Sequence, residues 1–177
     1  MVNFDYQTPT RLIFGRGVVS EKLASVMNQY GKRVLITYGG GSIKRTAPGH
    51  DKSLYDLVKD TLTDKQVFEL GGIQPNPKFN PSVIEGVRIG KDKDIDVILA
   101  VGGGSVLDCT KAIAGVAGTL KTKVTDNVEE AWDIVCGRKP TTAAVPIVDI
   151  ITMAATGSEY DMGGVISRTE TNDKLAY

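Results

Sequence analysis

Two copies of Gly-Gly-Gly-Ser, at residues 39–42 and 102–105, each directly follow an apolar run, and the second directly precedes a helical pattern. Before the second copy, Ile95, Val97, Ile98, Leu99 and Val101 read as a strand buried on both faces. After it, Val106, Leu107, Ala112, Ile113 and Val116 recur at helical spacing. Strand, glycine turn and helix together aim unpaired N–H groups and the positive end of a helix dipole at one point. Glycine lets a ligand's phosphate approach the chain closely, so the chemistry this arrangement suits is phosphate binding. A competing reading is structural: Ser105 and Asp108 have the S-x-x-D spacing of a helix-capping pair. The run is also not the G-x-G-x-x-G fingerprint, because the sixth position from Gly102 is Leu107.

Other chemistry finds little support. Of 177 residues, 21 are basic and 21 acidic, a balance that argues against nucleic acid or an anionic membrane as a general partner. No apolar run reaches the length of a membrane span, and the amino-terminal residues lack the basic start and apolar core of a secretion signal. A cytoplasmic protein is the expectation. Cys109 and Cys136 lie far apart without metal-ligand spacing and read as reduced thiols. His50 is the one histidine, in a polar loop, so the chain cannot build a multi-histidine metal site.

The elements that must position the glycine turns can be read in order. Residues 10–17 suggest a short strand and turn, and residues 18–31 a helix with Val19, Leu23, Val26, Met27 and Tyr30 on one face. Residues 34–38 form a buried strand running into the first glycine turn. A helix over 53–62, a strand over 65–72 and a proline-rich loop over 73–80 follow. Residues 81–94 read as a helix with Pro81 in its first turn. Beyond the second turn, residues 122–139 read as a polar connection with a short amphipathic piece at 131–135. Residues 143–152 give another buried strand, and residues 163–177 a strand, a turn at 171–173 and a returning strand. This alternation predicts a Rossmann-like, doubly wound α/β fold with a mainly parallel sheet, one domain over residues 1–177. Ligands of such sheets bind beyond the carboxyl ends of the strands, where both glycine turns and the "TGSE" at 156–159 should fall.

Six ordered segments, "TPTRLIFGRG", "RVLITYGGGSIK", "GGIQPNP", "AVGGGSVLDCTK", "ATGSE" and "GVISR", resemble the amino-terminal half of the iron-containing, or group III, alcohol dehydrogenases. The likeness is greatest to the NADPH-dependent aldehyde reductase and butanol dehydrogenase branch, and it covers essentially the whole chain. It implies a domain for NADP, with NAD as the alternative, in an enzyme that moves hydride between the nicotinamide and an alcohol/aldehyde pair. Carried over by motif, Gly103, Gly104 and Ser105 would bind the pyrophosphate, and Asp108 would face the nicotinamide-ribose side. Thr152, Thr156 and Ser158 match the family's cofactor segment, Lys174 a lysine that reaches the nicotinamide ribose, and Asn76 an asparagine beside the adenosine.

The chain departs from the family at Ala154, where proline is usual, at Asp161, where similar sequences have asparagine, and in an apparent insertion over 44–53. The family's divalent metal, iron or zinc, is held by an aspartate and three histidines that follow the segment matched here. The resemblance therefore implies a cofactor half without a metal site, no catalytic residue within the chain, and inactivity on its own. A noncatalytic nucleotide-binding module completed by a partner chain is the alternative. A metal-dependent synthase of the dehydroquinate or glycerol-phosphate type shares the fold, but the two glycine turns and "TGSE" favour the dehydrogenases. A face left by the missing half implies homo-oligomer formation or self-association. Finally, Gly39 and Gly40 stand where an NAD-selective domain places an acid for the ribose 2′-OH. Backbone N–H groups of Gly40 and Gly41, the Ser42 hydroxyl, and Lys44 or Arg45 could instead hold a 2′-phosphate, which favours NADP.

Overall fold

A computed structural model describes residues 8–120 and 128–177 of the chain. Its centre is a four-stranded parallel sheet: β1 (Arg33–Tyr38), β2 (Gln66–Leu70), β3 (Val97–Gly102) and β4 (Ile147–Ile151), in spatial order β2-β1-β3-β4. Every residue of β3 is buried, as expected of a strand covered on both faces. Helices α1 (Val18–Met27) and α2 (Leu54–Thr61) cover one face, where Leu23, Met27 and Val58 pack on Val34, Ile36, Val97 and Leu99. Helices α3 (Ile84–Asp92), α4 (Gly104–Thr119) and α5 (Val128–Val135) cover the other, around Leu35, Ile98, Ile113 and Trp132. The doubly wound α/β expectation therefore holds. A two-stranded antiparallel hairpin, β5 (Val165–Arg168) and β6 (Asp173–Ala176), lies outside the sheet.

The chain goes from β1 outward to β2 and then crosses back to β3 on β1's other side. The order thus reverses between β1 and β3, whose ends are in register at Tyr38 and Val101. Both glycine turns leave the sheet at this reversal, where the crevice of such folds opens.

Several local expectations need correction. Residues 10–14 form no strand: Leu12 and Phe14 are exposed, and no described strand lies alongside to pair with them. Helix α1 stops at Met27 with Asn28 as its cap, short of Tyr30. The helix expected from Pro81 starts instead at Ile84, after a wide turn over Phe79–Val83 with a cis Asn80–Pro81 bond. The amphipathic piece at 131–135 extends to a helix from Val128, while the part of that connection over 122–127 lies outside the described residues. Cys109 and Cys136 are both free, as expected; Cys109 is buried, which pushes its thiol up to about 12, and Cys136 is half-buried. His50 is exposed.

Candidate dinucleotide site

Helix α4 starts at Gly104, with Gly103 as its cap and no side chain capping it. Ser105 is already inside the helix, so the S-x-x-D capping reading fails. The carboxylate of Asp108 is engaged elsewhere: Oδ1 accepts from Ser158 Oγ at 2.6 Å and Oδ2 from Val165 N at 3.0 Å. The donors are a hydroxyl and an amide, the types a carboxylate in this position suits. The first N–H groups of α4 are consequently left pointing out of its amino-terminus.

The glycines separate into two kinds. At Gly102 an added Cβ would lie 2.5 Å from Val106 Cγ2, and at Gly39 it would lie 3.3 Å from the Ile73 carbonyl oxygen, so packing requires both to be small. At Gly40 and Gly41 a Cβ would meet nothing within 4 Å, and at Gly103 and Gly104 only one atom at 3.9 Å. None of the four has a positive φ. Neither backbone geometry nor packing within the chain calls for glycine at these positions. They leave open space against bare backbone N–H groups, the shape a phosphate-bearing ligand needs.

The remaining sequence-derived positions lie on other elements. Thr152 follows β4 and donates its N–H to the Gly102 carbonyl at 2.9 Å, placing the start of the 152–159 segment beside the second turn. Thr156 and Ser158 line a cleft of about 290 Å³ together with Asp108, Asp161, Gly163, Gly164 and Tyr177. Asn76, in the left-handed region at φ 53, accepts from Lys174 Nζ through Oδ1 at 2.8 Å, joining the proline-rich loop to the hairpin. Ser42 is exposed at the start of a short 3-10 helix, Gly41–Lys44. The lining of that cleft does not include the glycine turns themselves, but the second turn adjoins it, since a Cβ at Gly104 would lie 3.9 Å from Ser158 Cβ.

Three further groups were not evident from sequence. Lys111, one turn after Asp108, donates to Asp161 Oδ1 at 2.5 Å and also binds the Gly163 carbonyl, so the additional acid at 161 is neutralised. Tyr177 donates its hydroxyl to the Asp108 carbonyl; burial, then the nearby Asp108 charge, hold this phenol well above its ordinary pKa. Asp149 on β4 has an Oδ1 that is buried without a hydrogen-bond partner. Burial, reinforced by Glu159 and offset by Lys111, raises its pKa to about 7.

Among the described residues no three His, Cys, Asp or Glu side chains gather as metal ligands. The described residues thus offer no set of ligands that fits a metal. Among them, too, no helix is long and apolar enough to cross a membrane.

A doubly wound α/β chain of this kind opens a crevice beyond the carboxyl ends of its strands at the strand reversal, where its open glycine turns lie. The family model for iron-containing alcohol dehydrogenases matches residues 9–177, and the chain belongs to that family. It is 47% identical over 179 residues to a probable NADH-dependent butanol dehydrogenase 1 of Bacillus subtilis, covering all of this chain and 42% of that protein. It is 40% identical to the NADPH-dependent aldehyde reductase YqhD of Escherichia coli, again over 100% of this chain and 42% of the relative. The crystal structure of an NADH-dependent butanol dehydrogenase A from Thermotoga maritima superimposes with a TM-score of 0.82 at 36% identity, covering 98% of this chain and 40% of that one. The chain thus spans well under half the length of these relatives.

Proposed function

We propose that the chain is the dinucleotide-binding domain of an alcohol dehydrogenase or aldehyde reductase, with NADP(H) preferred over NAD(H). The observation that carries this reading is the set of four glycines, Gly40, Gly41, Gly103 and Gly104, for which the fold itself has no use. The pyrophosphate would lie against the N–H groups of Gly103, Gly104 and Ser105, with the adenosine phosphate at Gly40 to Ser42 and the nicotinamide end towards Thr152, Thr156, Ser158 and Asp108. Bound there, the nicotinamide supplies or accepts a hydride; the residues of this chain bind and orient it. A small alcohol or aldehyde is the substrate of the complete enzyme, which works in the cytoplasm.

Calorimetric titration with NADPH and NADH tests the reading. The native chain should bind, and Gly104→Val should fold with an unchanged thermal transition yet lose binding, because its side chain fills the phosphate's space. Unchanged affinity in a folded Gly104→Val protein would refute it. Alone, the chain should not reduce aldehydes with any metal. Turnover that disappears on chelation and returns with Fe(II) or Zn(II) would overturn that part.

A further inference from the structure

Beside the first glycine turn lies a cluster that the dinucleotide reading does not yet use. Tyr38 ends β1 immediately before Gly39, and Lys44 ends the 3-10 helix that begins at Gly41. Between them stands Tyr55 from α2. Its ring and that of Tyr38 meet edge to face, with centroids 5.8 Å apart and planes at 67°. The Lys44 ammonium lies 4.8 Å from the Tyr38 centroid and 4.5 Å from that of Tyr55, so it sits over both rings at once.

The rings are themselves fixed. Both hydroxyls donate to Glu69 of β2, Tyr38 at 3.1 Å and Tyr55 at 2.9 Å, and Lys59 Nζ binds the same carboxylate at 2.8 Å. Gly71 leaves room for the Tyr38 ring, since a Cβ there would lie 2.5 Å from it. Glu69 is thus neutralised by Lys59, and the charge of Lys44 is met by ring faces and, among the described residues, by no carboxylate salt bridge. The side chain of Lys44 is otherwise exposed.

An unrestrained surface lysine loses rotamer entropy whenever it is ordered by a ligand. Here much of that cost is met in advance, because two rings hold the ammonium within three residues of the turn. Ring faces attract a cation weakly enough for a phosphate dianion to engage it from the solvent side. We propose that Tyr55, with Tyr38, is a positioning residue for cofactor choice: the pair seats Lys44 at the mouth of the Gly39 to Ser42 turn to receive a ribose 2′-phosphate. This rests on the reading that the turn takes the adenosine end of a dinucleotide. The tyrosines act through the lysine and do not touch the cofactor.

The test is a set of NADPH and NADH dissociation constants for the native chain, Lys44→Met, Tyr55→Leu, Tyr55→Phe and the Lys44→Met/Tyr55→Leu double variant at fixed salt. Native protein should bind NADPH more tightly than NADH. Tyr55→Leu should lower that preference about 5-fold with NADH affinity unchanged, Tyr55→Phe should retain it because the ring remains, and the double variant should lose no more than Lys44→Met alone. Should Tyr55→Leu fail to fold, Tyr55→Met carries the same expectation. A preference unmoved by loss of the ring, or losses that simply add in the double variant, would overturn the seat. Absence of NADH binding in the native chain would instead refute the dinucleotide reading beneath it.

Discussion

Ser158 donates its hydroxyl to Asp108 Oδ1 at 2.6 Å, so the first turns of α4 grip the segment that forms the lip of the cleft. Oδ2 of the same carboxylate takes the Val165 N–H at 3.0 Å, and Tyr177 holds the Asp108 carbonyl. Asp108→Asn would turn one of the two acceptors into a donor facing a donor. We expect a loss of roughly 1–3 kcal/mol in stability and a weaker dinucleotide affinity. Urea unfolding and calorimetry on the variant check both; a variant as stable as the native chain would show that the clamp contributes nothing.

Cofactor choice can be shifted at one glycine. Gly39 is a poor place to test it, since a Cβ there presses on the Ile73 carbonyl oxygen, whereas Gly40 has open space and an ordinary extended φ of −72°. Gly40→Asp should therefore fold normally, accept hydrogen bonds from a ribose 2′-OH and repel a 2′-phosphate. The ratio of NADPH to NADH dissociation constants should rise by at least about tenfold, less at high salt. An unchanged ratio would remove the 2′-phosphate from this turn.

How far the sequence revealed this depends on whether a feature is local. The strands β1 and β3 and the turns after them were legible because each is a run of buried residues ending in glycine. Of the short strand and turn expected over residues 10–17 only the turn is there, because an apolar run does not say whether a partner strand exists, and Leu12 and Phe14 have none among the described residues. The capping reading of Ser105 failed for a similar reason: whether Asp108 turns to its own helix or to Ser158 is decided by residues 50 positions away. Lys111 resembles any helical surface lysine until Asp161 and Gly163 are brought to it. Its spacing of three from Asp108 was the one available sign. The Lys44, Tyr55 and Glu69 cluster draws on three elements, and no spacing in the chain announces it.

Self-association should occur through the apolar side chains left in water near the cleft. Met153 and Met162 are 68% and 95% exposed, Tyr160 is 43% exposed, and the Thr10 hydroxyl binds the Glu159 carbonyl, bringing the segment of Leu12 and Phe14 to the same side. Light scattering across a concentration series should show association, reduced by Met162→Gln and Phe14→Gln together. A monomer at all concentrations would contradict this.

The last expectation concerns pH. Asp149 lies on β4 with a buried, unpartnered Oδ1, and its pKa rises from 3.8 to about 7, chiefly by burial. Between those values the folded chain holds a proton that the unfolded chain has released. Stability from this residue is therefore complete below about pH 4 and declines as pH rises, until by pH 7 the folded protein carries the full cost of the buried charge. Asp149→Asn never ionises, so its stability relative to the native chain should rise by roughly 3 kcal/mol between pH 4.5 and 8, about 1.4 kcal/mol for each pH unit crossed below the raised pKa. Urea unfolding of both proteins at pH 4.5, 6 and 8 measures the difference directly, and subtraction cancels the other groups that titrate in this range. A difference that does not grow from pH 4.5 to 8 would mean that water reaches the Asp149 carboxylate in the folded protein.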